Sequence, residues 1–280
     1  MNINKFVFTL SCEDQIGIIA KTSNIIAEVG GFILELSQYG DPETHQFFMR
    51  CLFELDHNKI NFLREKLEQV LGKKFMISSY DEPMKTVIMV SKQGHCLNHL
   101  LHQIHAEKLP IDIQMIVSNH LDLKHMADNY QIPFLHLPVD KTNKLQQEEY
   151  LLQKIKESNT ELVILARYMQ ILSPHLTKCL AGKIINIHHS FLPCFKGAKP
   201  YHQAYERGVK LIGATAHYVT DELDEGPIIE QEVARVDHSD SPKQMVQIGS
   251  EVESRVLYRA VKYHIEKRVF TNGIKTVVFK

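Results

Sequence analysis

The sequence contains 280 residues, with 32 lysines and arginines against 33 aspartates and glutamates, and 44% of its residues are hydrophobic. Domains commonly contain about 100 to 200 residues, so this length predicts two domains with substantial cores and excludes a disordered chain. A net charge of -1 provides no basic surface for nucleic acid, and no apolar run approaches the roughly 20 residues that span a bilayer, so we expect neither kind of partner. Five cysteines without a CxxC pair are typical of a reduced, cytoplasmic protein.

Residues 1–80 alternate between strand and helix patterns. The spacing of apolar residues predicts strands at 5–11, 32–39, 45–55 and 74–80 and helices at 15–29 and 58–71. In the first helix, the apolar residues fall at helical spacing, namely Ile16, Ile19, Ala20, Ile26 and Ala27. The order βαββαβ is the ferredoxin-like pattern, in which two helices cover one face of a small antiparallel sheet. We therefore predict a ferredoxin-like N-terminal domain at residues 1–82.

A polar segment with a helix-breaking proline, Pro83, follows this domain and separates it from a different pattern. Short apolar runs alternate with helical segments in the second part of the chain, at 86–90, 112–117, 134–139, 162–166 and 183–187. This alternation predicts a doubly wound, mostly parallel α/β sheet in a domain at residues 83–280. Ligands bind such sheets beyond the carboxyl ends of the strands. A long amphipathic helix at 242–268 and a short strand at 276–279 are expected near the end.

Histidine is abundant, with 16 residues, and His95, His99 and His102 have the spacing of a metal-binding helix face. Leucines occupy the opposite side of this helix, and no carboxylate or cysteine completes a ligand set on the histidine side. We therefore interpret the three histidines as a solvated polar face rather than a zinc site. His95 and Cys96 follow a strand directly, which leaves a substrate contact open for these two residues.

The segment 183–193 ends a buried strand with polar residues. Because side chains alternate along a strand, Asn186 and His188 project to the same side. An amide and an imidazole that point together past a sheet edge suit an oxyanion donor and an acid–base group, although residues in this position equally often cap a loop. A carboxylate from the acidic run 221–225 would complete such a site, but that run alone is more typical of a solvated turn.

Three blocks of sequence together resemble the formyltransferase family that uses 10-formyltetrahydrofolate. The blocks are Asn-Ile-His-His-Ser-Phe-Leu-Pro at 186–193, Leu-Asp-Glu-Gly-Pro at 223–227 and Leu-Ala-Arg-Tyr-Met-Gln-Ile-Leu-Ser-Pro at 165–174. The resemblance implies that Asn186, His188 and Asp224 are the catalytic triad. It also implies a pterin pocket walled by Met169, Gln170, Leu172, Thr220, Asp221, Glu222 and Leu223. By the same resemblance, His189 and Ser190 support the triad or serve only in their loop.

The family includes transferases and hydrolases. Residues 91–98 contain one glycine, which makes a poor cradle for the phosphate of a nucleotide acceptor. Residues 1–80 resemble an ACT module, and the deformylase members of the family carry such a module. The resemblance therefore implies hydrolysis of 10-formyltetrahydrofolate to formate and tetrahydrofolate, without a metal or cofactor, in support of one-carbon and purine metabolism. The alternatives are formyl transfer to an amine such as glycinamide ribonucleotide, and a noncatalytic amino-acid sensor.

An ACT module also implies a homo-oligomer and an amino-acid effector bound where two modules pair. Two departures from the family patterns bear on these expectations. Gln170 stands where related enzymes usually have arginine, and Phe32 stands where ACT modules often have asparagine. Lys196 and Lys199, in the loop after the triad strand, are candidate cations for the glutamate tail of the folate, although exposed lysines are common.

Overall fold

A computed structural model describes residues 2–192 and 200–280. The chain forms two compact units, one made of Met1–Glu82 with Tyr263–Lys280 and the other made of Pro83–Lys262. The sequence pattern assigned residues 263–280 to the second domain, whereas these residues pack with the first unit. Lys196 and Lys199 lie outside the described residues. Within the described ranges, no helix combines the length and the apolar character needed to cross a membrane.

Strands and helices alternate in both units. The described strands are β1 (Ile3–Glu13), β2 (Phe32–Asp41), β3 (Gln46–Asp56), β4 (Phe75–Ser79), β5 (Met84–Val90), β6 (Ile111–Ser118), β7 (Phe134–His136), β8 (Leu162–Leu165), β9 (Ile184–His188), β10 (Leu211–Tyr218), β11 (Ile228–Arg235), β12 (Val269–Asn272) and β13 (Lys275–Val278). The described helices are α1 (Ile18–Glu28), α2 (Ile60–Leu71), α3 (His95–His105), α4 (Lys124–Asn129), α5 (Lys144–Glu157), α6 (Pro174–Cys179), α7 (Pro200–Glu206) and α8 (Pro242–Ile265).

The first unit is built on a four-stranded antiparallel sheet in the order β2-β3-β1-β4, with α1 and α2 between strands as the sequence predicts. Both helices contribute to a core centred on side chains such as Phe8, which is fully buried. The predicted start of the first helix at residue 15 is wrong. Gly17 adopts a left-handed conformation with φ 88, so α1 begins only at Ile18. Ile16 therefore lies in the preceding turn and is exposed, and Ile19 is also exposed.

The second face of this sheet is covered by the C-terminal segment. Alternation along β3 points Phe48 and Arg50 away from the helix-facing core. Phe48 packs against Phe270 of β12, with ring centroids 5.7 Å apart. The fully buried Arg50 donates a hydrogen bond from Nε to the carbonyl oxygen of Glu266 at 2.8 Å. These contacts explain why residues 263–280 belong to the first unit.

The second unit contains a seven-stranded sheet in the order β11-β10-β9-β8-β5-β6-β7. Strands β5 to β9 pair in parallel, while β10 pairs antiparallel with β9 and with β11. The predicted mostly parallel α/β sheet is confirmed. From β5 the chain runs outward through β6 and β7 on one side and later through β8 and β9 on the other. The topological switch point, where such sheets bind ligands, therefore lies between β5 and β8.

Candidate active site

The end of β9 carries two of the predicted triad residues. Asn186 and His188 are two positions apart on this strand and line the same cavity, as the alternation of side chains predicts. The antiparallel register of β10 places His217 opposite Asn186. As a result, Asn186 Nδ2 lies 3.3 Å from His217 Nε2. Cross-strand pairing thus adds a second histidine to the site.

The third predicted residue, Asp224, lies beside both histidines. Its Oδ2 is 3.2 Å from His188 Nδ1, and its Oδ1 is 3.6 Å from His217 Nε2. His188 Nε2 is buried and has no hydrogen-bond partner among the described residues. Because Asp224 engages one ring nitrogen of His188, the other is left to exchange a proton with a bound molecule. The structure therefore brings the predicted triad together.

Burial by itself raises the pKa of the Asp224 carboxyl, but the hydrogen bonds and charges of His188 and His217 outweigh that effect. The net result is a pKa well below the ordinary range of an aspartate, so Asp224 is ionised at neutral pH. Its backbone has φ 57, a left-handed conformation that is uncommon for a residue with a side chain. Such strain is often found at functional sites, where the surrounding structure holds it in place.

A cavity of about 240 Å³ opens at these residues. All the predicted pterin contacts line this cavity, namely Met169, Gln170, Leu172, Thr220, Asp221, Glu222 and Leu223. The side chains of Met169 and Leu223 are 57% and 59% exposed, so they offer apolar surface at the cavity. Exposed apolar side chains around a concave site are typical of ligand-binding pockets.

Two hydrogen bonds anchor the walls of the cavity to neighbouring elements. Thr177 on α6 donates from Oγ1 to Asp221 Oδ1 at 2.5 Å. The backbone N–H of Met169 donates to Ser91 Oγ at 3.0 Å, and Ser91 Oγ donates to Asn119 Oδ1 at 2.7 Å. Asp221 therefore holds its loop in place, in addition to lining the cavity.

The two predicted supporting residues are placed differently. His189 lines the cavity, and its ring centroid lies 5.0 Å from that of His188. Ser190 is buried, and its carbonyl oxygen accepts a hydrogen bond from Thr215 Oγ1 at 3.0 Å. Thr215 lies opposite His188 in the register of β9 and β10. Ser190 is thus held by the strand that also supplies His217.

His217 is the main residue of the site that the sequence did not reveal. Its position seven residues before Asp224, at the end of an apolar strand, was a usable signal. The sequence did not show which residue His217 contacts, because the pairing of β10 with β9 cannot be derived from either strand alone. Ser91, Thr177 and Thr215 were missed for the same reason.

The histidines of α3 do not act together. His95 Nε2 lies 2.7 Å from Glu253 Oε2, whereas the ring of His99 meets that of Tyr258 edge-on at 5.5 Å. His95, Cys96 and Glu253 have donor atoms within 4.8 Å of one another, a spacing that would suit a metal ion. Arg167, however, lies 3.3 Å from the same Glu253 oxygen. Its positive charge already compensates the carboxylate, so this donor set fits a metal cation poorly.

Known proteins are similar to this chain in sequence and in fold. A family model described as formyl transferase matches residues 84–261. The formyltetrahydrofolate deformylase of Corynebacterium sp. (strain P-1) is 45% identical over 99% of this chain and 98% of its own length. The corresponding protein of Bacillus subtilis (strain 168) is 42% identical over 99% of this chain and 95% of its own length.

Solved structures give the same result. A formyltetrahydrofolate deformylase from Burkholderia mallei is 48% identical and superposes with a TM-score of 0.94 over 99% of this chain and 100% of that chain. The glycinamide ribonucleotide transformylase 1 of Symbiobacterium toebii is 26% identical, with a TM-score of 0.67 over 71% of this chain and 95% of that chain. The deformylases match this chain over nearly its whole length, and the chain therefore belongs to the formyltetrahydrofolate deformylase family.

Proposed function

We propose that the protein hydrolyses 10-formyltetrahydrofolate to formate and tetrahydrofolate, and that Asn186, His188 and Asp224 carry out the reaction. The observation that carries this assignment is the arrangement of His188. One ring nitrogen is paired with an ionised carboxylate, and the other is buried without a hydrogen-bond partner among the described residues at a cavity that Asn186 shares. The formate released would enter one-carbon and purine metabolism.

Binding would use the two walls of the cavity. The exposed side chains of Met169, Ile171 and Leu223 supply an apolar surface for the flat pterin ring. The polar edge of the ring would meet backbone groups of the 168–172 and 220–224 segments other than the N–H of Met169 and the carbonyl of Glu222, which are already paired. Gln170 lines the cavity, and a backbone contact with the ring at this position would survive the change from the usual arginine, although the positive charge is lost.

The chemistry requires a polarised formyl carbonyl, a water that loses a proton and a protonated folate nitrogen. Asn186 donates an N–H to the oxygen of the tetrahedral intermediate, an interaction worth about 3 kcal/mol at comparable sites. His188, in its charged form, stabilises the same oxygen and gives its Nε2 proton to N10 as the bond from carbon to N10 breaks. Asp224 holds the ring through Nδ1, favours its charged form and helps to accept the proton of the attacking water.

The test is incubation of the protein with 10-formyltetrahydrofolate alone, with formate and tetrahydrofolate both measured. We expect equal amounts of the two products without any acceptor. His188→Ala and Asp224→Asn should each lower kcat by at least about a hundredfold while the protein remains folded. Near wild-type formate release by either folded variant would contradict the assigned roles. A requirement for an added amine would instead identify a formyltransferase.

We also infer that the first unit is an ACT module that binds an amino acid and pairs with a second copy of the chain. The support is its sheet order and a depression at the β1–α1 turn, lined by residues that include Asp14, Gly17 and Gln38. Methionine and glycine should change the rate of formate release if this unit is regulatory. Gel filtration should show a species larger than one chain of 32.3 kDa. A monomer that is insensitive to both amino acids would contradict this inference.

A further inference from the structure

Arg167 has a strained backbone beside the cavity. It follows β8, lines the cavity and adopts φ 67. Glycine is the residue that takes this left-handed conformation without steric cost, and an arginine is rarely found there. Asp224 is the other cavity-lining residue with a side chain and a positive φ within the described chain. Because Asp224 belongs to the proposed catalytic machinery, the strain at Arg167 raises the question of what its side chain supplies.

The side chain of Arg167 supplies a buried positive charge. Its side chain is 8% exposed, and its Nε donates to Gln93 Oε1 at 2.9 Å and lies 3.3 Å from Glu253 Oε2. The side chain of Glu253 on α8 is only 1% exposed. A buried carboxylate without a compensating charge is strongly unfavourable, so the ion pair with Arg167 helps Glu253 to remain ionised there.

Glu253 has two further partners. His95 Nε2 lies 2.7 Å from Oε2, and the hydroxyl of Tyr201 donates to Oε1 at 2.6 Å. Burial raises the pKa of Glu253, but the hydrogen bond with His95 and the charge of Arg167 outweigh burial, so that the pKa is lowered overall. Both carboxylate oxygens are thus engaged. We refer to Gln93, His95, Arg167, Tyr201 and Glu253 as the Arg167 cluster.

The Arg167 cluster occupies the switch point of the sheet. Gln93 and His95 follow the carboxyl end of β5, and Arg167 follows the carboxyl end of β8. These two strands are adjacent in the sheet and their chain connections diverge, which is the position where open α/β sheets commonly hold a ligand. In this protein, the side chains of the Arg167 cluster fill that position, and the charge of Arg167 balances that of Glu253. The cluster lies beside the cavity, because Arg167 also lines it.

We propose that Arg167 is a specificity-determining residue that occupies and neutralises an amine-binding position at Glu253, so that water is the acceptor of the formyl group. This proposal rests on the hydrolytic function proposed above. With an amine acceptor, the bound ammonium group would first give one proton to Glu253. The amine nitrogen would then bond to the formyl carbon, the bond from that carbon to N10 would break, and the second proton lost by the nitrogen would end on N10. With water, a carbon–oxygen bond forms instead and formate is released.

The test compares Arg167→Gly with Arg167→Lys and the wild type, with glycinamide as the probe. Glycine relieves the backbone strain and leaves Glu253 without its cation, so a protonated amine should bind in place of the guanidinium. We expect glycinamide to suppress formate release by Arg167→Gly, either by displacing water or by accepting the formyl group. The concentration for half suppression should be at least about tenfold lower than for the wild type or Arg167→Lys.

Two controls identify the site. Acetamide, which resembles glycinamide but lacks the amine, should have no effect on any of the proteins. Adding Glu253→Gln to Arg167→Gly should abolish the response to glycinamide, because the carboxylate that attracts the amine is gone. If Arg167→Gly does not fold, Arg167→Asn serves instead, since asparagine tolerates a positive φ.

A folded Arg167→Gly or Arg167→Asn protein whose formate release is unaffected by glycinamide would overturn the proposal. An equal response in Arg167→Lys would overturn it as well, because that variant retains the positive charge. Thermal unfolding with and without glycinamide provides a readout that does not depend on activity: only the charge-deleted variants should be stabilised. Failure of the proposed function would appear separately, as a wild-type protein that releases no formate.

Discussion

The surroundings of His217 determine that one of its two ring nitrogens, Nδ1, carries a proton. Its Nδ1 lies 2.8 Å from the carbonyl oxygen of Tyr218, which can only accept, so Nδ1 carries a proton. When Nε2 is unprotonated it accepts a hydrogen bond from the Asn186 amide nitrogen, 3.3 Å away, and when it is protonated it faces Asp224 Oδ1 at 3.6 Å. In the first state His217 determines which end of the Asn186 side chain faces the ring. His217 is therefore a positioning residue for the proposed oxyanion donor.

Replacement of His217 tests this role. His217→Phe removes both ring nitrogens and frees the Asn186 amide to rotate, so we expect kcat to fall by about tenfold to a hundredfold with little change in KM. His217→Gln offers an acceptor in the place of Nε2 and should retain more activity than the phenylalanine variant. Steady-state rates of formate release for the two variants provide the measurement. Equal kcat values for both would show that Asn186 is oriented by other contacts.

The lowered pKa of Asp224 predicts how stability depends on pH. A carboxyl whose pKa is lower in the folded state stabilises the protein at pH values above its unfolded pKa, which is about 3.9. That contribution is lost as the pH falls through the lower, folded value. The destabilisation caused by Asp224→Asn should therefore be full near pH 7 and should shrink in strongly acidic solution. The measurement is urea unfolding of the wild type and Asp224→Asn from pH 7 to pH 3. A difference in the free energy of unfolding that grew as the pH fell would contradict this expectation.

At the scale of whole elements, α7 packs closely against α8 at Gly249. A Cβ at Gly249 would lie 2.1 Å from Cζ of Tyr201, much closer than real side chains approach. The same tyrosine donates its hydroxyl to Glu253 one turn further along α8. Gly249 thus permits a close approach that the Arg167 cluster needs.

Gly249→Ala should therefore destabilise the protein, although alanine in place of glycine usually stabilises a helix. We expect the free energy of unfolding to fall by about 1–3 kcal/mol, because the new methyl group displaces the Tyr201 ring. Gln247→Ala, at an exposed position of the same helix, is the matched control and should change stability little. Chemical denaturation of the three proteins gives the comparison, and a stabilised Gly249→Ala protein would contradict the packing argument.

Local sequence patterns predicted the strands and helices better than they predicted which of these elements contact one another. The alternation along β9 correctly grouped Asn186 with His188, because side-chain direction in a strand depends only on the strand itself. The first helix was predicted to start too early, since the left-handed Gly17 that delays it is visible only in the folded backbone. Sequence could not pair Arg167 with Glu253 either. These residues are far apart in the chain, and the sheet and α8 must both form before they meet.

At the scale of the whole molecule, the first unit is assembled from two distant parts of the chain. Its sheet buries Phe8 under the helices on one side and Phe48 under Phe270 on the other. Arg268 adds an ion pair with Glu35 of β2 at 2.9 Å. The C-terminal hairpin is therefore a structural layer of this unit.

Phe270→Ala should weaken the first unit and spare the chemistry of the second. Truncation of a buried phenylalanine costs about 3–5 kcal/mol, and Phe270 is 9% exposed. We expect earlier unfolding of the first unit, measured by hydrogen exchange at β3, with kcat for formate release retained under conditions where the second unit is folded. Unchanged exchange at β3 would show that the hairpin does not protect this sheet.

The hydrogen bond between Arg50 and the backbone of Glu266 joins residues 216 positions apart. During synthesis, β3 leaves the ribosome long before the segment that covers it. Until that segment is made, Phe48 and the guanidinium of Arg50 are exposed to water or bound by a chaperone. The second unit is contiguous and can complete its sheet in that interval. A chain that ends just short of residue 263 would therefore have a complete sheet in its second unit and an uncovered face on its first sheet, which makes it a target for quality control.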